Sequence, residues 1–103
     1  MAFDLTDRMG VSVENPDESD FHRILDSLAR VDPEHPDVSL THESEWSLGV
    51  FGSGLVIWEN LEGGEPRHAR NLGRDEIIAL WKKLAVGDIA GVDSAVNWQS
   101  GYG

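Results

Sequence analysis

Two stretches with helical periodicity bracket a block of alternating residues, and this arrangement constrains the fold more than any other feature of the chain. Phe21, Ile24, Leu25 and Leu28 recur at i, i+3, i+4 and i+7, the spacing of a single apolar helix stripe. Ile77, Leu80, Trp81 and Leu84 form a second such stripe. Between them, Val38, Leu40 and His42 share one strand face, and Trp46, Leu48 and Val50 share another. The run GLVIWENL, residues 54–61, is apolar on both faces, as expected of a central strand covered on each side. Strands clustered between helices, without βαβ alternation, specify an α+β fold.

Local signals set the expected boundaries. Asn15 suits an N-cap and Pro16 a first helical position, and Asp17, Glu18 and Asp20 complement the helix dipole, which predicts a helix over 16–30. The prolines of VDPEHPD make a connecting loop. Gly52-Ser53-Gly54 and Glu62–Pro66 read as hairpin turns, and RHARNL as a polar strand suited to an edge. Gly73 opens the second helix, Lys82 and Lys83 lie toward its end, and Gly87 takes the C-terminal position. Val11 and Val13 mark a short strand, whereas the alternation of Phe3 and Leu5 is too short to assign. Residues 88–98 hold one helical turn with Val96 and Trp98 packing back, and 99–103 read as a frayed tail. The expected order is β-α-β-β-β-β-α: one domain over 1–103, with two helices on one face of a four- or five-stranded, mainly antiparallel sheet.

Charge narrows the function. Residues 1–66 hold 15 acids and 3 bases, residues 67–103 hold 4 acids and 5 bases, and the whole chain is at −11. Such a surface repels phosphate backbones, which disfavours nucleic acid, and attracts a basic protein. The alternative is that acidity serves only solubility. Cysteine is absent, which removes disulfides, thiolate metal sites and a cysteine nucleophile. No stretch has the apolar length of a membrane span, and the first twenty residues lack the apolar core of a secretory signal, so a cytoplasmic protein is expected. Nothing in the sequence sets an oligomeric state.

Candidate sites follow from residue type and spacing. Glu34, Asp37, Glu43 and Glu45 make an acidic surround for Trp46, which begins a strand and, if exposed, would anchor a protein partner. A second, polar site comprises Glu59 with Arg67, His68 and Arg70 on the next strand, the turn setting Glu59 and Asn60 near Arg67 and His68. It reads either as an end-of-sheet ion pair or as the acid–base pair of a small hydrolase or transferase. His35, Asp37, His42 and Glu43, with Asp32 and Glu34, lie close in sequence but lack metal-ligand spacing, so no metal or cofactor is expected. Ser53 in FGSGL joins two strands and is not a nucleophile elbow. No set of residues has catalytic spacing.

Over residues 37–88, the chain resembles the small α+β immunity proteins of bacterial toxin–immunity systems (Imm1-type). The likeness rests on Trp58 and Glu59 in GLVIWEN and on Leu80, Trp81, Gly87 and Asp88 in LWKKLAVGD. The resemblance implies a compact sheet with a late amphipathic helix, and a non-enzymatic protein that binds and blocks a cognate toxin, often through an acidic surface. The expected function is therefore an acidic module that inhibits a basic partner. The alternatives are an enzyme using Glu59 and His68, or an accessory domain.

Overall fold

A computed structural model describes residues 3–30, 34 and 37–103. Among these, the strands are β1 (Phe3–Thr6), β2 (Ser12–Glu14), β3 (Asp37–His42), β4 (Trp46–Phe51), β5 (Val56–Asn60), β6 (Arg67–Ala69) and β7 (Gln99–Ser100). The helices are α1 (Glu18–Ser27), α2 (Arg74–Ala85) and α3 (Ile89–Ala95). The strands form one sheet in the order β2-β1-β3-β4-β5-β6-β7, antiparallel throughout. The α+β class is as expected, but the sheet has seven strands and the helices number three among the described residues.

The period-2 pattern explains which side of the sheet is covered. Leu5, Val38, Leu40, Leu48, Val50, Val56 and Trp58 point to one face, where they form one core with Phe21, Ile24 and Leu25 of α1, Ile77, Ile78, Leu80, Trp81 and Leu84 of α2, and Val92 of α3. Trp58 and Trp81 are both fully buried in it. The Trp81 indole N–H donates to the Leu48 carbonyl (3.1 Å), and its ring meets Phe21 edge-to-face at 5.5 Å. Removing a side chain of this size from water favours folding by about 2–3 kcal/mol.

Several boundaries differ from those read in the sequence. Helix α1 begins two residues later than expected because Asp17, not Asn15, is its cap. The Asp17 carboxylate accepts from the Asp20 N–H (3.0 Å), and Asp20 returns the bond to the Asp17 N–H (3.1 Å). Asn15 remains tied to the sheet through its N–H to Phe3 O (2.9 Å) at φ 48°. The hydroxyl of Ser19, then the backbone N–H of Asp20, hold the Asp17 carboxyl below its ordinary 3.8. Gly73 has no side chain to accept from the first-turn amides of α2, and the Glu76 carboxylate accepts from the Gly73 N–H (3.2 Å). Gly87, at φ 78°, closes α2 as expected, a left-handed position that suits glycine.

Residues 99–103 are not a frayed tail. Gln99 and Ser100 pair with His68 and Arg67, and the Gly101 N–H reaches Pro66 O (2.8 Å). Strand β6 is therefore internal, and the edges are β2 and the two-residue β7. Residues 89–95 form a full helix, with Val96 and Trp98 packed against the core as expected.

Candidate functional site: the helix-free face of the sheet

The residues that alternate with the core point to the other face, away from the helix residues that build the core among the described residues. Registers align them in rows. Glu14, Asp4, Thr41, Ser47 and Glu59 lie side by side across β2, β1, β3, β4 and β5. A parallel row runs through Ser12, Thr6, Ser39, Gly49, Ile57, His68 and Gln99. Hydroxyls bridge the strands: Thr6 with Ser12 at 2.9 Å, and Thr41 donating to Ser47 at 3.1 Å. Ile57 is buried yet lies outside the helix-side core.

A groove of about 250 Å³ runs over Gly49. Asp37 and Glu59 stand at its two ends, and Phe51, Ile57, Leu61 and Tyr102 give it apolar walls. Tyr102 reaches it because Gly101 is held twice, at Pro66 and by the His68 Nδ1–H donating to its carbonyl (3.0 Å). The Tyr102 hydroxyl then donates to Glu59 (3.2 Å), and the Glu59 charge beside it raises the phenol above 10.0. Burial raises the Asp37 carboxyl above its ordinary 3.8.

The ion pairs of the described residues lie elsewhere. Arg23–Asp20 (3.1 Å), Arg67–Asp93 (2.8 Å), Arg74–Asp26 (2.5 Å) and Lys82–Glu18 all involve helical residues. Among the described residues, no base forms an ion pair with Asp4, Glu14, Asp37 or Glu59. Asp4 and Glu14 stand directly opposite each other, a like-charge pairing that opposes folding by about 0.2–1 kcal/mol.

The acidic residues singled out in the sequence do not form one cluster. Asp37 and Glu43 bracket β3, so at least its length, about 17–20 Å, separates them. Glu34 is exposed in the connection before β3. Glu43 and Glu45 lie in the β3–β4 turn, with Glu45 at φ 72° and its N–H on His42 O (2.9 Å). Trp46 is not exposed. It is half-buried on the helix side, stacked on Trp58 at 4.5 Å with the Arg67 guanidinium 5.9 Å from its ring centre. It turns inward because its β4 position shares a face with Leu48 and Val50.

The second set of residues is split as well. Register places Arg67 opposite Trp58 and His68 opposite Ile57. Glu59 instead pairs with Ser47, so His68 is only its diagonal neighbour on the open face, at about 7–8 Å. Arg67 turns to the helix side, and Arg70 is exposed. The partner of Arg67 is Asp93, whose Oδ1 also accepts from the Trp58 indole (2.7 Å). Asp93 carries no motif, and neither its role nor that of Tyr102 has a signal in the sequence.

No group of three metal-ligating side chains forms among the described residues. Asp32 and His35 lie outside them, and His42 and Asp37 occupy opposite faces of β3. His42 is buried on the helix side, its Nδ1 accepting from the Ser44 N–H (3.1 Å). Ser53 is exposed in the β4–β5 turn. No described helix is long and apolar enough to cross a membrane. No family model, curated protein or solved structure matches this chain.

Proposed function

We propose that this chain is an acidic protein-binding module that docks a basic partner on the helix-free face of its sheet and inhibits that partner, as an immunity protein does a toxin. One observation carries the reading: Asp4, Glu14, Asp37 and Glu59 share one face and, among the described residues, none of them forms an ion pair, while Arg23, Arg67, Arg74 and Lys82 pair with acids of the helices. Acidity needed only for solubility has no reason to leave like charges opposed on one face. Exposed Leu61 and Tyr102 add apolar area beside the carboxylates, the mixture that a protein interface uses. The enzymatic alternative gains nothing from the register, since the Glu59 carboxylate accepts from Tyr102.

The partner is to be captured by crosslinking in the native host and its association measured by stopped flow against ionic strength. Neutralising Asp4, Glu14, Asp37 and Glu59 to their amides should slow association and flatten its salt dependence. Neutralising Glu18, Asp20, Asp26 and Asp75 removes equal charge from the helix side and should do much less. Equal effects of both sets would reduce the acidity to net charge and remove the face from the mechanism. A captured partner whose activity is unchanged at saturation would end the inhibitor reading.

A further inference from the structure

We propose that the groove over Gly49 seats one arginine side chain of the partner, with its stem along Ile57 and Phe51 and its guanidinium at Asp37. This rests on the docking face argued above and names what the face grips. Gly49 lies between Ser39 and Ile57 in the row that crosses the middle of the face, and it is the residue there without a side chain. The groove floor is therefore bare backbone flanked by side chains on both neighbouring strands. Its volume of about 250 Å³ lies below the ~300–1,000 Å³ of pockets for small molecules. That volume is also too small to take a helix of about 10 Å diameter. One long side chain fits this space.

The chemistry of the walls selects which side chain. Phe51, Ile57, Leu61 and Tyr102 suit an apolar stem, and the rings of Phe51 and Tyr102 favour a planar cation. Asp37 lies two residues along β3 from Ser39, about 7 Å, within the span of an arginine side chain crossing Gly49. Its carboxylate is half-buried and lacks a cation among the described residues, and burial has raised its pKa, so an arriving guanidinium relieves an existing cost. Glu59 is engaged by the Tyr102 hydroxyl at the other end, which leaves Asp37 as the receiving group.

The test is a titration of the ¹⁵N-labelled chain, followed by amide shifts, with acetyl-Gly-Arg-Gly-amide, its citrulline analogue and octa-arginine. The arginine tripeptide should shift Asp37, Ser39, Gly49 and Ile57, and the citrulline peptide should not. Gly49→Val should abolish these shifts. Its backbone is extended, and an added Cβ meets only Val38 O at 3.8 Å, an ordinary contact, so the fold should hold. Gly49→Ala serves as the milder second variant and should weaken binding partially. Asp37→Asn should weaken the tripeptide about five-fold, the weight of one half-exposed ion pair. Equal binding of arginine and citrulline, no shifts at the groove, or indifference to Gly49→Val overturns the proposal. If octa-arginine still shifts the open face while the tripeptide ignores the groove, the arginine seat fails and the docking face survives. If octa-arginine shifts the helix side as strongly as the sheet, both fail.

Discussion

Replacing Asp93 by alanine should destabilise the fold by more than a half-exposed carboxylate normally does. The reason is the fully buried Trp58, whose indole N–H has Asp93 Oδ1 as its acceptor at 2.7 Å. Losing that acceptor leaves a buried donor unsatisfied, at about 1–3 kcal/mol. The ion pair with Arg67, whose side chains are 33% and 39% exposed, adds at most about 1 kcal/mol. The expected loss is about 2–3 kcal/mol, a drop in Tm of roughly 10–20 °C for a chain of this size. Scanning calorimetry and urea unfolding measure it, with an unchanged urea slope showing that the native state stays compact. The decisive comparison is made in a Trp58→Phe background, where the donor is gone. There Asp93→Ala should cost only its share of the ion pair, giving a coupling of about 1–2 kcal/mol. Additivity within about 0.5 kcal/mol would refute the argument that the buried Trp58 donor depends on Asp93.

Trp81→Ala should cost about 3–5 kcal/mol by urea unfolding, since Trp81 is fully buried among α1, α2 and β4. Trp46→Ala should cost less, because a half-buried ring loses mainly its stack on Trp58 and its Arg67 contact. Burial raises the Asp37 pKa, so the folded state disfavours its ionised form. Wild type should then gain stability relative to Asp37→Asn as pH falls through the raised pKa, with the gain complete below about 3.8 and absent at neutral pH, as thermal melts across pH will show. Glu45→Gly should change unfolding free energy by less than about 1 kcal/mol, in either direction, because relief at φ 72° offsets the added freedom of the unfolded chain. Glu14→Lys places a base opposite Asp4 and should stabilise by up to about 1 kcal/mol in urea unfolding.

The readable parts of the fold were those whose signal is local. The stripes of α1 and α2 and the alternation of β3, β4 and β5 each lie within a dozen residues, and all five elements are present. What escaped depends on pairing at a distance. Phe3 and Leu5 become a strand only because residues 37–42 and 12–14 flank them, and Gln99 and Ser100 only because β6 offers an edge. The candidate site divides in the same way. Glu59 and Asp37 were visible as carboxylates, but the face they share emerges only when register lines them up with Asp4 and Glu14. Trp46 misled because acidic neighbours in sequence suggest solvent, whereas its position in β4 aims it at Trp58. Tyr102 and Asp93 act over 43 and 35 residues of separation, and no short-range pattern anticipates either.

The three stacked indoles have an optical consequence. Trp46 lies 4.5 Å from Trp58, and Trp98 6.3 Å from Trp58 on ring centres, with planes inclined by only 24° and 25°. Transition dipoles this close and this ordered couple, so light absorbed by one ring is shared among neighbours. The native chain should therefore show a paired positive and negative circular-dichroism feature in the indole region that isolated tryptophans lack. Because Trp98 follows α3 while Trp46 and Trp58 belong to the sheet, the amplitude of that feature is an unlabelled gauge of how firmly the two remain joined.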